Sequence, residues 1–174
     1  MIKGKNVVLR ALEPTDVDLL YQWENDQKLW HLSNTLAPFS RFILEQYVLN
    51  SEQDIFTAKQ LRLMIDKISD QKSTPIGTID LFEFDPHNRR AGIGIFIVRN
   101  HREHGFASEA LQLVIDYCFQ TLQLHQVYCN ISEDNEISLK LFQKQRFKII
   151  GKKKDWLLLK NRWMDEYILQ LIND

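Results

Sequence analysis

The chain has 174 residues, of which 44% are apolar and 26% are charged. These values predict one globular domain, residues 1–174, with a hydrophobic core of its own. The formal net charge of −1 excludes a molecule-wide attraction to nucleic acid or to an anionic membrane surface, so we expect neither as a partner. No apolar run approaches the ~20 residues that are needed to cross a bilayer.

The start of the chain and its two cysteines indicate a compartment. The first six residues lead directly into a strand pattern and lack the apolar segment of a signal peptide. Cys118 and Cys129 lie in apolar segments without C-x-x-C spacing. We therefore expect a cytoplasmic protein with two reduced thiols, and a disulfide between them is the alternative. The basic stretch Lys144–Lys154 is predicted to be a solvated strand face, with a recognition surface or a phosphate-contacting rim as the alternatives.

The first third of the chain is predicted to form a strand and two helices. The strand covers Val7–Leu12, and Thr15 is expected to cap a helix that ends near Asn25. Ser40 is expected to cap the second helix, whose apolar residues are Phe42, Ile43, Tyr47 and Val48. Between the helices, the aromatic and polar segment Lys28–Phe39 is predicted to be a loop that covers a site.

The rest of the chain alternates between strand and helix patterns. Strands are predicted, in chain order, at Leu61–Ile68, Pro75–Phe84, Ala91–Val98, Val127–Ile131, Phe147–Lys152 and Trp163–Leu171. One helix begins at Ala107, and another covers Asn135–Arg146 with Ile137, Leu141 and Phe142 directed inwards. This order predicts an α+β or α/β domain with a mixed sheet of six or seven strands.

A polar turn joins the strand Ala91–Val98 to the helix at Ala107. The turn reads Arg102-x-x-Gly105-x-Ala107, and a glycine there allows a tight turn and a close approach to a ligand. The first amides of the helix have no partners within it and lie at the positive end of its dipole. The segment therefore predicts a phosphate-binding turn.

The order of elements and the turn Arg102–Ala107 resemble the Gcn5-related N-acetyltransferases (GNAT). Three further segments are similar to the ribosomal-protein (Rim-type) branch and especially to the bacterial spermidine/spermine N-acetyltransferases: Val8-Leu9-Arg10 with Asp16, Asn88–Ala91 and Asn135–Lys140. The similarity runs from Val7 to Leu171. It implies a three-layer fold in which a mostly antiparallel mixed sheet carries helices on both faces and a splayed central strand pair.

The resemblance also implies acetyl-CoA as the co-substrate, and the spacing of potential ligands predicts no metal. The strand Ala91–Val98 is expected to bulge and to separate from the next strand, so that backbone groups of Phe96, Ile97 and Val98 bind the pantetheine amides. The pyrophosphate is expected in the loop formed by Arg102, Glu103, His104, Gly105, Phe106, Ala107 and Ser108. The residues implied for the pantetheine arm and the 3′-phosphate or adenine are Asn130, Asn135 and Lys140 or Lys144.

Two positions depart from the family pattern. Glu103 stands where the loop usually has glycine, and this places a carboxylate near the phosphates. Phe142 stands where the spermidine-type enzymes have a tyrosine that reprotonates the leaving thiolate, and a phenyl ring has no proton to donate. Ser138 or water is the expected replacement.

The remaining expectations concern the base and the acceptor. Glu83 is the predicted general base, while Asp80 and His31 are predicted to line the acceptor pocket. His101 and His104 have no third ligand at a spacing suited to zinc. The relatives' pair of glutamates after the first helix is missing here. The acceptor is therefore left open between a polyamine such as spermidine, another small amine and a protein N-terminus, and a non-catalytic acyl-CoA-binding module is the alternative.

The state of assembly is the last expectation. The family resemblance implies a homodimer or a larger homo-oligomer. Trp156 and Trp163, near the last predicted strands, are candidates for such contacts, and burial of both in the core is the alternative.

Overall fold

A single eight-stranded sheet organises the chain, of which the computed structural model describes residues 1–30, 35–69 and 72–173. The strands, in chain order, are β1 (Ile2–Lys3), β2 (Val7–Arg10), β3 (Leu61–Ser69), β4 (Lys72–Asp85), β5 (Arg90–Ile97), β6 (Gln126–Ser132), β7 (Lys148–Leu159) and β8 (Arg162–Ile172). Their spatial order is β1-β2-β3-β4-β5-β6-β8-β7. All neighbours are antiparallel except β5 and β6, which run parallel. The predicted mixed fold is confirmed.

Helices cover the sheet on both faces. They are α1 (Val17–Glu24), α2 (Arg41–Leu49), α3 (Ile55–Ala58), α4 (Phe106–Asp116) and α5 (Glu136–Lys144). Side chains of β3 alternate between the two faces of the sheet, so this strand contributes to a hydrophobic cluster on each face. Leu63 and Ile65 pack in the cluster beneath α4. Met64 packs in the other cluster, with Leu20 of α1 and Leu44 of α2. No helix among the described residues is long and apolar enough to span a membrane.

The sheet has one strand more than the largest number expected. The additional strand is β1, whose two residues pair Ile2 with Leu9 and Lys3 with Val8. Two residues are too few to produce a hydrophobic period. The last two strands are also longer than predicted, since β7 runs through Leu159 and pairs with β8 across two register shifts.

The helix predictions were correct in position and partly wrong in detail. Ser40 does cap α2, and its hydroxyl accepts from the Ile43 N–H. The inward side of α2 is formed by Leu44 and Val48, however, while Phe42 and Ile43 are exposed. Ile137 is also exposed rather than directed inwards. An apolar residue at the edge of a helical stripe can face water at modest cost, so the pattern alone does not decide these positions.

Thr15 does not cap the first helix. The segment Pro14–Asp16 forms a 3-10 turn, and α1 begins after it at Val17. Asp16 accepts a hydrogen bond from the Glu13 N–H at 2.8 Å and is paired with Arg10. A capping box of Glu13 and Asp16 therefore replaces the expected cap.

Arg10 links the end of β2 to this turn and to β3. Its guanidinium contacts Asp16 at 2.7 Å and Asp66 at 2.8 Å. The side chains of these two aspartates are 3% and 6% exposed. Burial by itself raises the pKa of Asp16, but the hydrogen bonds from Arg10 and the Glu13 N–H more than offset it and hold that pKa below its ordinary value.

The parallel pair β5–β6 opens after three residues. Arg90, Ala91 and Gly92 pair with residues 126–128, and the strands diverge beyond Gly92. β5 nevertheless stays paired with β4 as far as Ile97. The expected bulge in β5 is wrong in its location: the extra residue lies in β4, between Phe82 and Asp85. The divergence leaves an open gap at the centre of the sheet.

Candidate functional site

Two cavities meet at the gap between β5 and β6. The larger has a volume of about 540 Å³ and lies on the side of α1, and the smaller has a volume of about 150 Å³ and lies on the side of α5. The residues that line both are Ile93, Gly94, Ile95, Asn130 and Glu166. The two cavities therefore share these residues as a common wall at the gap.

The open edge of β5 presents alternate backbone groups to the gap. Val98 donates its N–H to the Ile76 carbonyl at 2.9 Å, so it bonds towards β4, and Phe96 lies two residues earlier in the same ladder. Because backbone groups of successive residues point to opposite sides of a strand, those of Ile95 and Ile97 face the gap. The expectation that backbone groups of Phe96 and Val98 face a pantetheine arm in the gap is therefore wrong. The backbone of Ile97 faces the gap as expected, and the backbone of Ile95 does so as well.

The turn before α4 has the geometry of an anion-binding site. Gly105 has φ 82°. No heavy atom lies within 4 Å of the position that a Cβ atom would occupy there. The first backbone bond of the helix runs from the Glu109 N–H to the Gly105 carbonyl. The N–H groups of Phe106, Ala107 and Ser108 precede that bond and lie at the positive end of the helix.

Side chains around the turn hold it in place. Arg102 does not project freely, since its Nε donates to the Ile97 carbonyl at 2.8 Å. Glu103 has φ 66°, so this position requires a left-handed backbone that glycine would adopt with less strain. His104 is exposed and contacts the Phe106 ring. The Ser108 hydroxyl accepts from Gln145 at 2.9 Å, and this bond joins the turn to the end of α5.

The smaller cavity contains several of the predicted residues. Asn135, Ser138 and Phe142 all line it. Asn135 caps α5, and its carbonyl oxygen accepts from the Ser138 N–H. Phe142 is buried and packs edge-on against Phe147 at 5.0 Å. Its ring thus lies at the cavity wall without a hydroxyl to offer.

A cysteine also lines the smaller cavity. Cys129 is 2% exposed, and burial raises the pKa of its thiol. Burial likewise raises the pKa of Cys118 to about 12, and neither cysteine takes part in a disulfide. Both remain protonated thiols at neutral pH and are poor nucleophiles.

Charged groups of both signs line the larger cavity. Arg62 bridges two carboxylates, donating to Glu24 at 2.5 Å and to Asp80 at 2.6 Å. Burial lowers the pKa of Arg62, but the charge and hydrogen bond of Asp80, together with the charges of Tyr47 and Glu24, more than offset this, so that the pKa lies above its ordinary value. At the junction of the cavities, Lys153 contacts Glu166 at 2.9 Å, and the Glu166 side chain is 10% exposed.

Aromatic rings form much of the remaining wall. The five are Trp23, Trp30, Phe82, Phe96 and Trp156. Trp23 and Phe96 meet edge to face with ring centres 5.7 Å apart. Trp30 donates its indole N–H to the Glu24 carbonyl at 2.9 Å, which fixes the ring against α1. The side chain of Phe96 thus takes part in this cavity although its backbone bonds to β4.

Several predicted residues lie away from the two cavities. Glu83 is the extra residue of the β4 bulge, with φ 49°, and its carboxylate accepts from the Tyr128 hydroxyl. It lines neither of the two cavities, so this geometry does not favour the prediction of Glu83 as the base. Lys140 is exposed and paired with Glu136, and Lys144 is exposed as well. The prediction for His31 lies outside the described residues.

Glu166 is the functional candidate that sequence reasoning missed. It lies on β8, more than 60 residues after β5, and only the sheet order brings it to the gap. The signal was the adjacent pair Asp165 and Glu166 within an apolar strand, both of which are buried. Buried carboxylates require partners and are therefore candidates for a role.

No cluster of three or more His, Cys, Asp or Glu side chains among the described residues is arranged to hold a metal ion.

Comparison with known proteins identifies the family of this chain. The model of the acetyltransferase (GNAT) domain matches residues 6–148. An uncharacterized N-acetyltransferase, p20 of Bacillus licheniformis, is 30% identical over 168 residues, covering 97% of this chain and 93% of the relative. A spermidine N(1)-acetyltransferase of Vibrio cholerae is 25% identical and covers 96% and 95% of the two chains. The crystal structure of Vibrio cholerae spermidine N-acetyltransferase in complex with CoA and spermine superimposes with a TM-score of 0.87 at 22% identity, over 97% of this chain and 96% of that one. The chain therefore belongs to the GNAT family of N-acetyltransferases.

Proposed function

We propose that the protein transfers an acetyl group from acetyl-CoA directly to a small primary amine. The observation that carries this proposal is the meeting of the two cavities at the gap between β5 and β6, together with the turn at Gly105 that follows β5. The smaller cavity would hold the thioester end of acetyl-CoA, and the larger would hold the amine. Spermidine is the first acceptor to test, because relatives are named for it.

The described residues fit the parts of acetyl-CoA. The N–H groups of Phe106, Ala107 and Ser108 would bind the pyrophosphate at the helix terminus. Backbone groups of Ile95 and Ile97 would bind the pantetheine arm in the manner of an added strand. The Ile97 carbonyl already accepts from Arg102, so its N–H is the available group. Acetyl-CoA supplies the acetyl thioester, and the Ile95 N–H would stabilise the charge that develops on its oxygen.

Glu166 is the proposed general base in place of Glu83. A protonated amine must lose a proton before its nitrogen can attack a carbonyl carbon. The Glu166 carboxylate lines both cavities, so it reaches an amine in the larger one directly or through one water. Lys153 contacts the carboxylate at 2.9 Å and positions it at the junction of the two cavities.

Departure of the thiolate needs no dedicated acid. A thiol of pKa ~8.5 leaves readily near neutral pH, so the phenyl ring of Phe142 does not prevent the reaction. Ser138, which lines the same cavity, or water would return the proton. A covalent enzyme intermediate is disfavoured because burial raises the pKa of Cys129 and keeps that thiol protonated.

The test is release of free CoA from acetyl-CoA in the presence of an amine panel that includes peptides. Acetylation of at least one small amine, with single-displacement kinetics, is the expected result. Binding of CoA by calorimetry without turnover of any amine would instead support an acyl-CoA-binding module, which the absence of the tyrosine acid at Phe142 favours. Preferential acetylation of peptide N-termini would assign the acceptor to a protein.

The turn at Gly105 should control the KM for acetyl-CoA. Gly105→Val should raise that KM at least about tenfold, because a β-branched residue at φ 82° is strained and would move the helix amides. Glu103→Gly should lower it about two- to threefold, because the change relieves a left-handed residue and removes a carboxylate near the phosphates. Initial rates at varied acetyl-CoA measure both effects. Opposite signs support the site, and a change of the same sign in both variants would contradict it.

The proposal also covers the location of the protein in the cell and its self-association. Two buried free thiols are consistent with a reducing compartment, so we place the protein in the cytoplasm. The β7–β8 hairpin exposes Leu158 and Trp163, which supports self-association of the chain through this hairpin. Light scattering of the purified protein would measure that association.

A further inference from the structure

We propose that the acceptor is a primary amine with one positive charge and a flat apolar body, an arylalkylamine by chemical class, and that polyamines are poor acceptors. This inference rests on the proposed function and concerns the chemistry of the larger cavity. Three observations carry it: the charges in the cavity, the composition of the segment after α1, and the aromatic wall.

The charges in the cavity match one ammonium group. Among the described side chains that line it, three carboxylates face two cations. Lys153 neutralises Glu166, and Arg62 is shared between Glu24 and Asp80. One negative charge is therefore left over, on the Glu24–Asp80 pair. A polyamine carries several positive charges and would have to place the others near Arg62 or Lys153, which costs affinity by like-charge repulsion.

Asp26, two residues after α1, accepts from the Lys28 N–H and does not line the cavity, and the segment beyond it supplies no further negative charge. Residues 27–44 contain no Asp or Glu, and they include Lys28 and Arg41. Whatever the conformation of this segment, its side chains add no carboxylate to the cavity.

The aromatic wall suits a flat ring. Trp23 and Phe96 meet at 5.7 Å, and Trp30 is fixed by its bond to Glu24. Trp156 lies at the rim, with the Lys153 ammonium 4.8 Å from its ring centre. Rings pack against such walls with centres 4.5–7 Å apart, and aromatic faces also attract an ammonium group. An amine with an aromatic body would use both kinds of contact.

The first experiment compares acceptors at saturating acetyl-CoA. Tryptamine, phenethylamine, propylamine, spermidine and an amino-terminal peptide are assayed by thiol release. The expected kcat/KM for tryptamine or phenethylamine exceeds that for both propylamine and spermidine by at least about tenfold. A preference for spermidine or for the peptide would overturn the inference and leave acetyl transfer intact. Failure of every amine, despite CoA binding, would overturn the proposed function as well.

Two exposed tryptophans of the β7–β8 hairpin provide a matched pair of variants. Trp156 lines the cavity and is 58% exposed, whereas Trp163 is 60% exposed and lines neither cavity. Trp156→Ala should lower kcat/KM for tryptamine about fivefold and leave that for propylamine within about twofold. Trp163→Ala should leave both within about twofold. An equal loss for both amines in Trp156→Ala, or no loss for tryptamine, would overturn the inference.

Discussion

Replacing Arg10 by alanine should lower the free energy of unfolding by about 3–5 kcal/mol. The change leaves Asp16 and Asp66, whose side chains are 3% and 6% exposed, without their shared cation. Removing one partner of a buried pair is costly because the remaining charge stays desolvated. Among the described residues, Asp66 Oδ1 already has no hydrogen-bond partner, so the site has little capacity to compensate. Urea denaturation at neutral pH measures the loss.

The exposed pair Arg41–Asp18 is the control. Its side chains are 55% and 69% exposed, so Arg41→Ala should lower the free energy of unfolding far less than Arg10→Ala does. Equal losses in the two variants would contradict the assignment of stability to the buried network.

The pH dependence gives the Arg10 network a second readout. Because the pKa of folded Asp16 is held below its unfolded value, its contribution is fully present above about pH 4 and is lost as the pH falls through the folded pKa. In Arg10→Ala the hydrogen bond from the Glu13 N–H remains, but burial, the largest cause, is no longer offset by Arg10, so the pKa of Asp16 rises. The difference between the two proteins should therefore shrink as the pH is lowered from 7 to 4. A difference that stays constant over this range would contradict the network.

Glu166→Gln should lower kcat by about 10²–10⁴-fold, the usual contribution of a positioned general base. The amide keeps the shape of the carboxylate but cannot accept the proton of the amine. The deficit should shrink as the pH rises towards the pKa of the amine, because solution then supplies neutral amine. Steady-state kinetics between pH 6 and 10 measure both effects, and the Tm checks that the variant is folded.

Glu83→Gln is the matched control, since Glu83 is held by Tyr128 outside both cavities. It should change kcat by less than about threefold. A loss in Glu83→Gln as large as that in Glu166→Gln would return the role of base to the β4 bulge. A pH-independent deficit in Glu166→Gln would indicate a structural role for that carboxylate.

Local chemistry explains which parts of the site could be predicted from the sequence. Gly105 and the start of α4 follow from a strand, a turn and a helical period within about 15 residues, and the structure has all three. Asn135 as the cap of α5 is equally local. The resemblance to the family supplied the separation of β5 from β6, which no single segment encodes.

The parts that could not be predicted depend on register and pairing. One extra residue in β4 changes which way Glu83 points, and nothing in its neighbours indicates the bulge. Which backbone groups of β5 face the gap depends on how β5 pairs with β4, so the assignment to Phe96 and Val98 was shifted by one residue from Ile95 and Ile97. Glu166 reaches the gap only because β8 lies between β6 and β7 in the sheet.

A crystal structure of the complex with CoA tests the central claim most directly. The account predicts the pyrophosphate against the amides of Phe106–Ser108, the pantetheine arm between β5 and β6, and the sulfur beside Ile95 within reach of Glu166 through one water. CoA bound on another surface, or β5 and β6 hydrogen-bonded along their full length in the complex, would contradict it.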